Sequence, residues 1–254
     1  TQVLSSAASD VYKRQLVLHG LFEHKGRHQD NVAWLQKLGI ETFSFNLPGH
    51  GEVDEKGHIE SWEENLTTIT SEYEKIAKKD KKIIFAHSYG SLVAVSAILR
   101  NKIEPDYLIL SAPHFDDNYP KFVKNMSGGL SKVFPKLRAP SPVTKRNLST
   151  DKETVETYFN DPLVFRSLTF KFGSEINTEQ RFVNENIQNL KIPTLVLHGS
   201  GDKIVPIKAS GKISQLENVK FIKVDNSKHE ILNQDTRTFV LSEIHHWLRE
   251  QKVI

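Results

Sequence analysis

The stretch Lys82–Leu99, KIIFAHSYGSLVAVSAIL, decides the fold. Ile83 to Ala86 make an apolar run of strand length, and Leu92 to Leu99 make an apolar run suited to a buried helix. Between them sits Ser88, with Ala86 and Gly90 two places to either side. Those small residues let strand and helix nearly touch. A serine on so sharp a bend projects its hydroxyl off the edge of a sheet, as in the small-x-Ser-x-Gly nucleophile elbow. The same pentapeptide also suits an ordinary turn, so partners elsewhere must decide between a nucleophile and a turn residue.

Upstream, QLVLHG (15–20) reads as a short buried strand and HQDNVAWLQKLG (28–39) as an amphipathic helix closed by Gly39. IETFSFNLPGHG (40–51) is a second strand, stopped by Pro48 and Gly49, and a helix is expected from about Ser61 to Lys79. Downstream, DYLILSAP (106–113) is a further strand. These strands are continuously apolar rather than alternating, which a parallel sheet covered on both faces requires. From about His114 to Leu190 the rhythm breaks into helical and polar segments with Pro135, Pro140, Pro142 and Pro162 and no convincing strand. IPTLVLHGSGDKIVP and VKFIKVDNSKHEIL then restore the pattern, before a last helix from about Thr236 to Gln251 carrying Phe239, Ile244, Trp247 and Leu248. The expected fold is therefore an α/β class, doubly wound, mostly parallel sheet, one domain over 16–254 with a helical cap inserted at about 114–190.

With 254 residues the chain can bury one large core, and 38% hydrophobic with 26% charged residues excludes a disordered protein. A net charge of +3 is too weak a bias to argue for nucleic acid, though it is compatible with anionic lipid surfaces. Zero cysteines exclude disulfides, a thiol nucleophile and thiolate metal sites. No apolar run approaches the roughly 20 residues that span a bilayer. Residues 1–15 form a separate case: DVYKRQ (10–15) resembles the translation of a sequencing-library adaptor, so this segment is expected to be non-native, with the true start and any signal missing. A cytoplasmic location, or a peripheral one at a membrane surface, is the expectation.

A serine nucleophile needs a base to take its proton and a carboxylate to orient that base. Asp202, in LHGSGDKIVP, and His229, in DNSKHEIL, each follow a strand. Loops at the carboxyl edge of a parallel sheet converge where Ser88 projects, and Ser88, Asp202, His229 is the chain order of the α/β-hydrolase triad. Asp225 is the competing acid, but lies only four residues before His229 on the same loop. Oxyanion donors are expected from the backbone N–H of Tyr89, after the nucleophile, and of Leu21, after His19-Gly20. His19, His24 and His28 do not fall at HExxH spacing, and the mechanism needs no metal and no cofactor.

These residues resemble the monoacylglycerol lipase and lysophospholipase group of serine α/β-hydrolases over nearly everything after residue 15. HGLFEHKGRH (19–28) looks like its H-G-x-x-E-H-x-G-R-Y, PGHGEVDEKGHIESWEEN (48–65) like its G-H-G-x-S-x-G stretch and the helix after it, and FNDPLVFR (159–166) like its cap D-P-L motif; LHGSGDKIVP and KHEILNQ complete the set. The resemblance implies an α/β-hydrolase fold with Ser88, Asp202 and His229 as triad, Leu21 and Tyr89 as oxyanion amides, and opening edge strands that this chain lacks. It also implies Glu23 and Arg27 as a supporting pair at the head-group end of the pocket, against the alternative of a solvated ion pair. Ala86 replaces the first elbow glycine, Asn46 stands where aspartate is frequent, and the bulk of Leu21, Phe22 and Tyr89 is expected to narrow the acyl entrance.

In the cap, NYPKFVKNMSGGLSKVFPKL (118–137) sets Phe122, Val123, Met126, Leu130, Val133, Phe134 and Leu137 among Lys121, Lys124, Lys132 and Lys136. Such a stripe either packs on its own domain or faces lipid. Phe22, Phe122 and Met126 join Glu23 and Arg27 as expected substrate contacts. The expected activity is hydrolysis of single-chain lipid esters, monoacylglycerol first and lysophospholipid second, through an acyl-enzyme on Ser88. A peptidase of the same fold and a non-catalytic ligand-binding protein remain as alternatives.

Overall fold

The computed structural model describes residues 13–76, 81–117 and 128–254. Its main sheet and flanking helices run, in chain order, β1 (Lys13–Leu18), α1 (Gln29–Lys37), β2 (Glu41–Ser44), α2 (Glu63–Glu74), β3 (Lys81–His87), α3 (Tyr89–Leu99) and β4 (Tyr107–Ser111). The inserted segment contributes β5 (Arg138–Pro140), α4 (Lys152–Asn160), β6 (Ser167–Thr169) and α5 (Phe170–Asn186). The chain then returns to the sheet as β7 (Thr194–Gly199) and β8 (Val219–Val224) and ends in α6 (Arg237–Glu250).

The six sheet strands lie in the order β2-β1-β3-β4-β7-β8, every neighbouring pair parallel. From β1 the chain steps outward to β2, then returns past β1 to lay down β3 and the rest. Strand order thus reverses between β1 and β3, and loops leaving their carboxyl ends part to leave a crevice there. Alternate side chains explain the continuous apolar runs. Leu16, Leu18, Ile84, Ala86, Leu108, Leu110 and Val196 pack with α2, α3 and α5 on one face. Val17, Ile83, Phe85, Ile109, Leu195 and Leu197 pack with α1 and α6 on the other. Each such side chain, fully buried, contributes about 1.5–3 kcal/mol, so the α3 run Tyr89–Ala97, buried on every side, is a large part of the core.

The structure departs from the sequence expectations at several places, the simplest being α2, which ends at Glu74 rather than at Lys79. β1 begins at Lys13, not Gln15, because Arg14 and Gln15 pair in register with both Glu41-Thr42 and Lys82-Ile83. α1 starts late because Lys25–His28 form a tighter 3₁₀ turn, whose Gly26 amide donates to the His24 ring at 3.2 Å. On α6 the residues Val240, Ile244, Trp247 and Leu248 share one face, which leaves Phe239 turned away and 47% exposed. Finally, the cap is not purely helical: β5 and β6 pair antiparallel, Arg138 opposite Thr169 and Pro140 opposite Ser167. Three residues are too few to display a period of two, and Pro140 sits at the ladder's end where its missing N–H costs nothing.

The expected cap stripe is also partly resolved by exposure. Val133, Phe134 and Leu137 are 68%, 55% and 53% exposed, so they do not pack on the domain. Phe122 and Met126 lie outside the described residues, as does most of the expected non-native segment.

Candidate active site

Ser88 sits between β3 and α3 with φ 49° and ψ −114°, a conformation that costs a non-glycine residue of order 1–3 kcal/mol and clusters at functional sites. The bend is held from three sides: Ser88 N–H donates to Ser111 O at 2.8 Å, while Ser88 O accepts from Ser91 N at 3.0 Å and His114 N at 3.2 Å. Gly90 is required here. A Cβ at that position would stand 2.6 Å from His19 O, whereas Ala86, two residues before Ser88, carries its methyl fully buried.

His229 follows β8 and reaches Ser88 Oγ with Nε2 at 3.0 Å, its Nδ1–H donating to Asp202 Oδ2 at 2.6 Å. That pattern fixes the tautomer in which Nε2 accepts from the serine hydroxyl. Asp202 is itself fixed: Oδ1 accepts from Ile204 N and Val205 N, both at 2.9 Å, and His198 Nε2 lies 3.4 Å from Oδ2. Burial alone would raise the Asp202 carboxyl, but His229 and His198 outweigh it and hold the group well below the usual carboxylate range. Burial likewise opposes charge on His229, and the Asp202 carboxylate overcomes it to raise the imidazole above its ordinary value. Asp225 is not part of this line; it is exposed and pairs with Lys223 at 3.0 Å. His198 escaped the sequence reading because it is a strand residue with no motif of its own, yet it is fully buried and anchored to Val205 O at 2.9 Å and Ser210 Oγ at 2.8 Å.

The loop after β1 lies beside this line. A Cβ on Gly20 would meet Ser88 Cβ at 3.3 Å and His87 Cδ2 at 3.0 Å, so only glycine lets the loop approach the elbow so closely. Among the described residues neither the Leu21 nor the Tyr89 amide donates a hydrogen bond, which leaves both available to a ligand oxygen. Glu23 pins the loop from behind, accepting from Gly20 N at 2.6 Å, from His28 Nε2 at 2.9 Å and from Arg27 Nε at 3.0 Å. Arg27 also donates to both oxygens of Glu230 at 2.8 Å, and Glu230 is the residue next to His229.

Both partners of the Glu23–Arg27 pair are buried, which removes the reading of a solvated ion pair. Arg27 differs from expectation in a second way: it does not line the cavity, because its guanidinium is taken up between Glu23 and Glu230 and under the Tyr158 ring. Tyr89 does not narrow the entrance either. Its side chain is turned into the core and fully buried against His50, Trp62 and Phe172. His87 does reach the cavity wall; burial, and then the neighbouring His229, push it down to about 3, so it faces the site as a neutral ring.

Ser88 and His229 open into a cavity of about 430 Å³. Leu21, Phe22 and Glu23 form one wall, and the cap contributes Pro142, Val143, Tyr158, Leu168, Phe170 and Ile176, making the lining mostly apolar. Such a volume and lining suit a small, largely apolar molecule.

A doubly wound parallel sheet with a serine elbow, a carboxylate–histidine–serine line at its carboxyl edge and a capped apolar cavity defines a serine hydrolase of the α/β-hydrolase fold. The chain belongs to the Hydrolase_4 family, described as "Serine aminopeptidase, S33", whose model matches residues 11–236. It is 25% identical over 233 residues to Phospholipase YtpA of Bacillus subtilis, covering 87% of this chain and 89% of that protein. It is 23% identical to Monoglyceride lipase of Homo sapiens, covering 92% and 82%. The crystal structure of Paleococcus ferrophilus monoacylglycerol lipase superposes with a TM-score of 0.84 at 25% identity, over 92% of this chain and 93% of that one. With this family, fold and set of relatives the chain is a carboxylic ester hydrolase.

Proposed function

We propose that this protein hydrolyses the ester of single-chain lipids, monoacylglycerol before lysophospholipid, through an acyl-enzyme on Ser88. The observation that carries the reading is the hydrogen-bonded line Asp202–His229–Ser88 opening into a capped, mostly apolar cavity. His229 Nε2 takes the Ser88 proton as Oγ attacks the ester carbonyl carbon, and the oxyanion that forms is received by the Leu21 and Tyr89 amides, each worth about 3–4 kcal/mol when well placed. The same imidazole then gives its proton to the departing glycerol oxygen. Water, deprotonated by His229 in turn, releases the fatty acid and restores Ser88. Asp202 keeps the ring in the tautomer that both halves need and stabilises the imidazolium.

Each methylene of an acyl chain buried against the cap adds about 0.8 kcal/mol of binding, so longer single chains are favoured until the cavity is filled. The exposed Val133, Phe134 and Leu137 beside Lys132 and Lys136 suit transient contact with the surface on which such substrates lie. No helix among the described residues is long and apolar enough to cross a membrane. A peptidase would need an anchor for a free amine; among the described lining carboxylates Glu23 and Glu230 are instead engaged by Arg27 and His28, and Asp117 lies against His114 at 4.0 Å.

The test is fatty-acid release from monoacylglycerols of increasing chain length beside matching lysophosphatidylcholines, with Ser88→Ala as control. Ser88-dependent release, fastest from monoacylglycerols, is expected. Equal or faster release from lysophosphatidylcholine would move the assignment to lysophospholipase, and no release from folded protein would remove the esterase reading.

A further inference from the structure

The loop that carries Leu21 is built from strained and close-packed backbone, and much of what holds it comes from the cap. Phe22 takes φ 73°, a left-handed value that a side chain with a Cβ adopts at a cost of about 1–2 kcal/mol. Its carbonyl accepts from Phe165 N at 3.1 Å, and its ring meets the Phe165 ring edge-on at 5.2 Å between centroids. Two residues on, His24 Nδ1 accepts from Gly26 N, so its Nε2 carries the proton and donates to Asp161 Oδ2 at 2.8 Å. Asp161 is held in turn by Leu163 N–H, which donates to Oδ1 at 2.8 Å. One turn further, the Arg27 guanidinium lies 4.7 Å from the centre of the Tyr158 ring. Tyr158, Asp161 and Phe165 all belong to one stretch of the cap, the end of α4 and the turn after it. The core side supplies the Glu23 and Glu230 contacts already described and, beside His24, Asn46 Oδ1, which accepts from Lys25 N at 3.0 Å.

We infer that this cap stretch fixes the conformation of the oxyanion loop, with Asp161 a positioning residue that acts through His24 on the Leu21 amide. The role rests on the reading of Ser88 as nucleophile and Leu21 as oxyanion donor. It goes beyond a cap that merely encloses the acyl chain: a loop held at φ 73° relaxes when its clasp is removed, and a donor displaced by about 1 Å loses much of its effect on the transition state. Ground-state binding of a short ester, which does not depend on that donor, should be little altered.

The two roles separate on substrates of different length. Asp161→Asn and His24→Ala, singly and combined, are measured with p-nitrophenyl acetate and p-nitrophenyl decanoate, folding being checked by circular dichroism. The expected result is a fall in kcat of about ten- to a hundredfold on both esters, with KM for the acetate unchanged within about twofold. The double variant should be no worse than the more affected single one, because both break the same contact. An unchanged kcat on acetate in either folded variant, a loss confined to decanoate, or fully additive losses would overturn the positioning role. If Asp161→Asn fails to fold, His24→Ala breaks the clasp from the core side and decides the question. Wild-type protein with no Ser88-dependent turnover of either ester would overturn the esterase reading and this inference with it, an outcome distinct from the others.

Discussion

Lowering the pH from about 7 to about 5 should destabilise this protein strongly, through histidines that never take part in catalysis. His50 is enclosed in the core and His87 is buried at the cavity wall, and burial pushes His50 down to about 4 and His87 down to about 3 from the ordinary 6.5. Between those values and 6.5 the unfolded chain binds protons that the folded chain refuses. Their contribution to stability is therefore complete above the unfolded value and is lost as the pH falls. Each unit below it costs about 1.4 kcal/mol per group, so at about pH 5 the pair together removes about 4 kcal/mol. His19, also pushed down by burial, adds to the loss, while His229, raised by Asp202, offsets a part of it. Urea unfolding followed by tryptophan fluorescence, at constant ionic strength, reads the effect. With a slope of about 3 kcal/mol per molar urea the midpoint should drop by more than about 1 M. His50→Gln, whose amide can replace the Nδ1–H donated to Pro48 O at 2.8 Å, should recover about 2 kcal/mol of the loss. A midpoint that does not move between the two pH values, or a His50→Gln protein that loses as much as wild type, would refute the reasoning.

Two further results are expected. Asp202→Asn should cut kcat by about ten-thousandfold by imposing the wrong His229 tautomer, while Asp225→Asn leaves it unchanged; steady-state kinetics on one ester distinguishes the two acids. Gln15→Leu should raise the unfolding free energy by about 1–3 kcal/mol in a denaturant titration, because the fully buried Gln15 amide finds no hydrogen-bond partner among the described residues and leucine removes that penalty.

The elbow was the most legible part of the chain, since a serine between Ala86 and Gly90 leaves the backbone few other arrangements. Asp202 and His229 were legible because both follow apolar runs that could only be neighbouring buried strands. Contacts between distant segments were not. Glu230 carries no signal of its own beside His229, and its pairing with Arg27 follows from where the β8 loop crosses the loop after β1, which no local pattern encodes. Asp161 is visible in the sequence only as part of a resembling D-P-L motif, because its contact with His24 joins residues far apart in the chain. Tyr89 misled for a simpler reason. The residue after the nucleophile offers its amide to the site, but α3 winds its side chain to the opposite side, into the core.

The short β5–β6 ladder has a consequence for engineering. Because Pro140 and Ser167 are paired, the 26 residues between them leave and re-enter the molecule at nearly the same point. They form a cartridge with adjoining ends, and exchanging it for a segment of different length or polarity would alter what the enzyme admits without re-registering the sheet. Such a graft must still carry a carboxylate opposite His24 and an amide opposite Phe22, or the new specificity would come with a slowed catalyst.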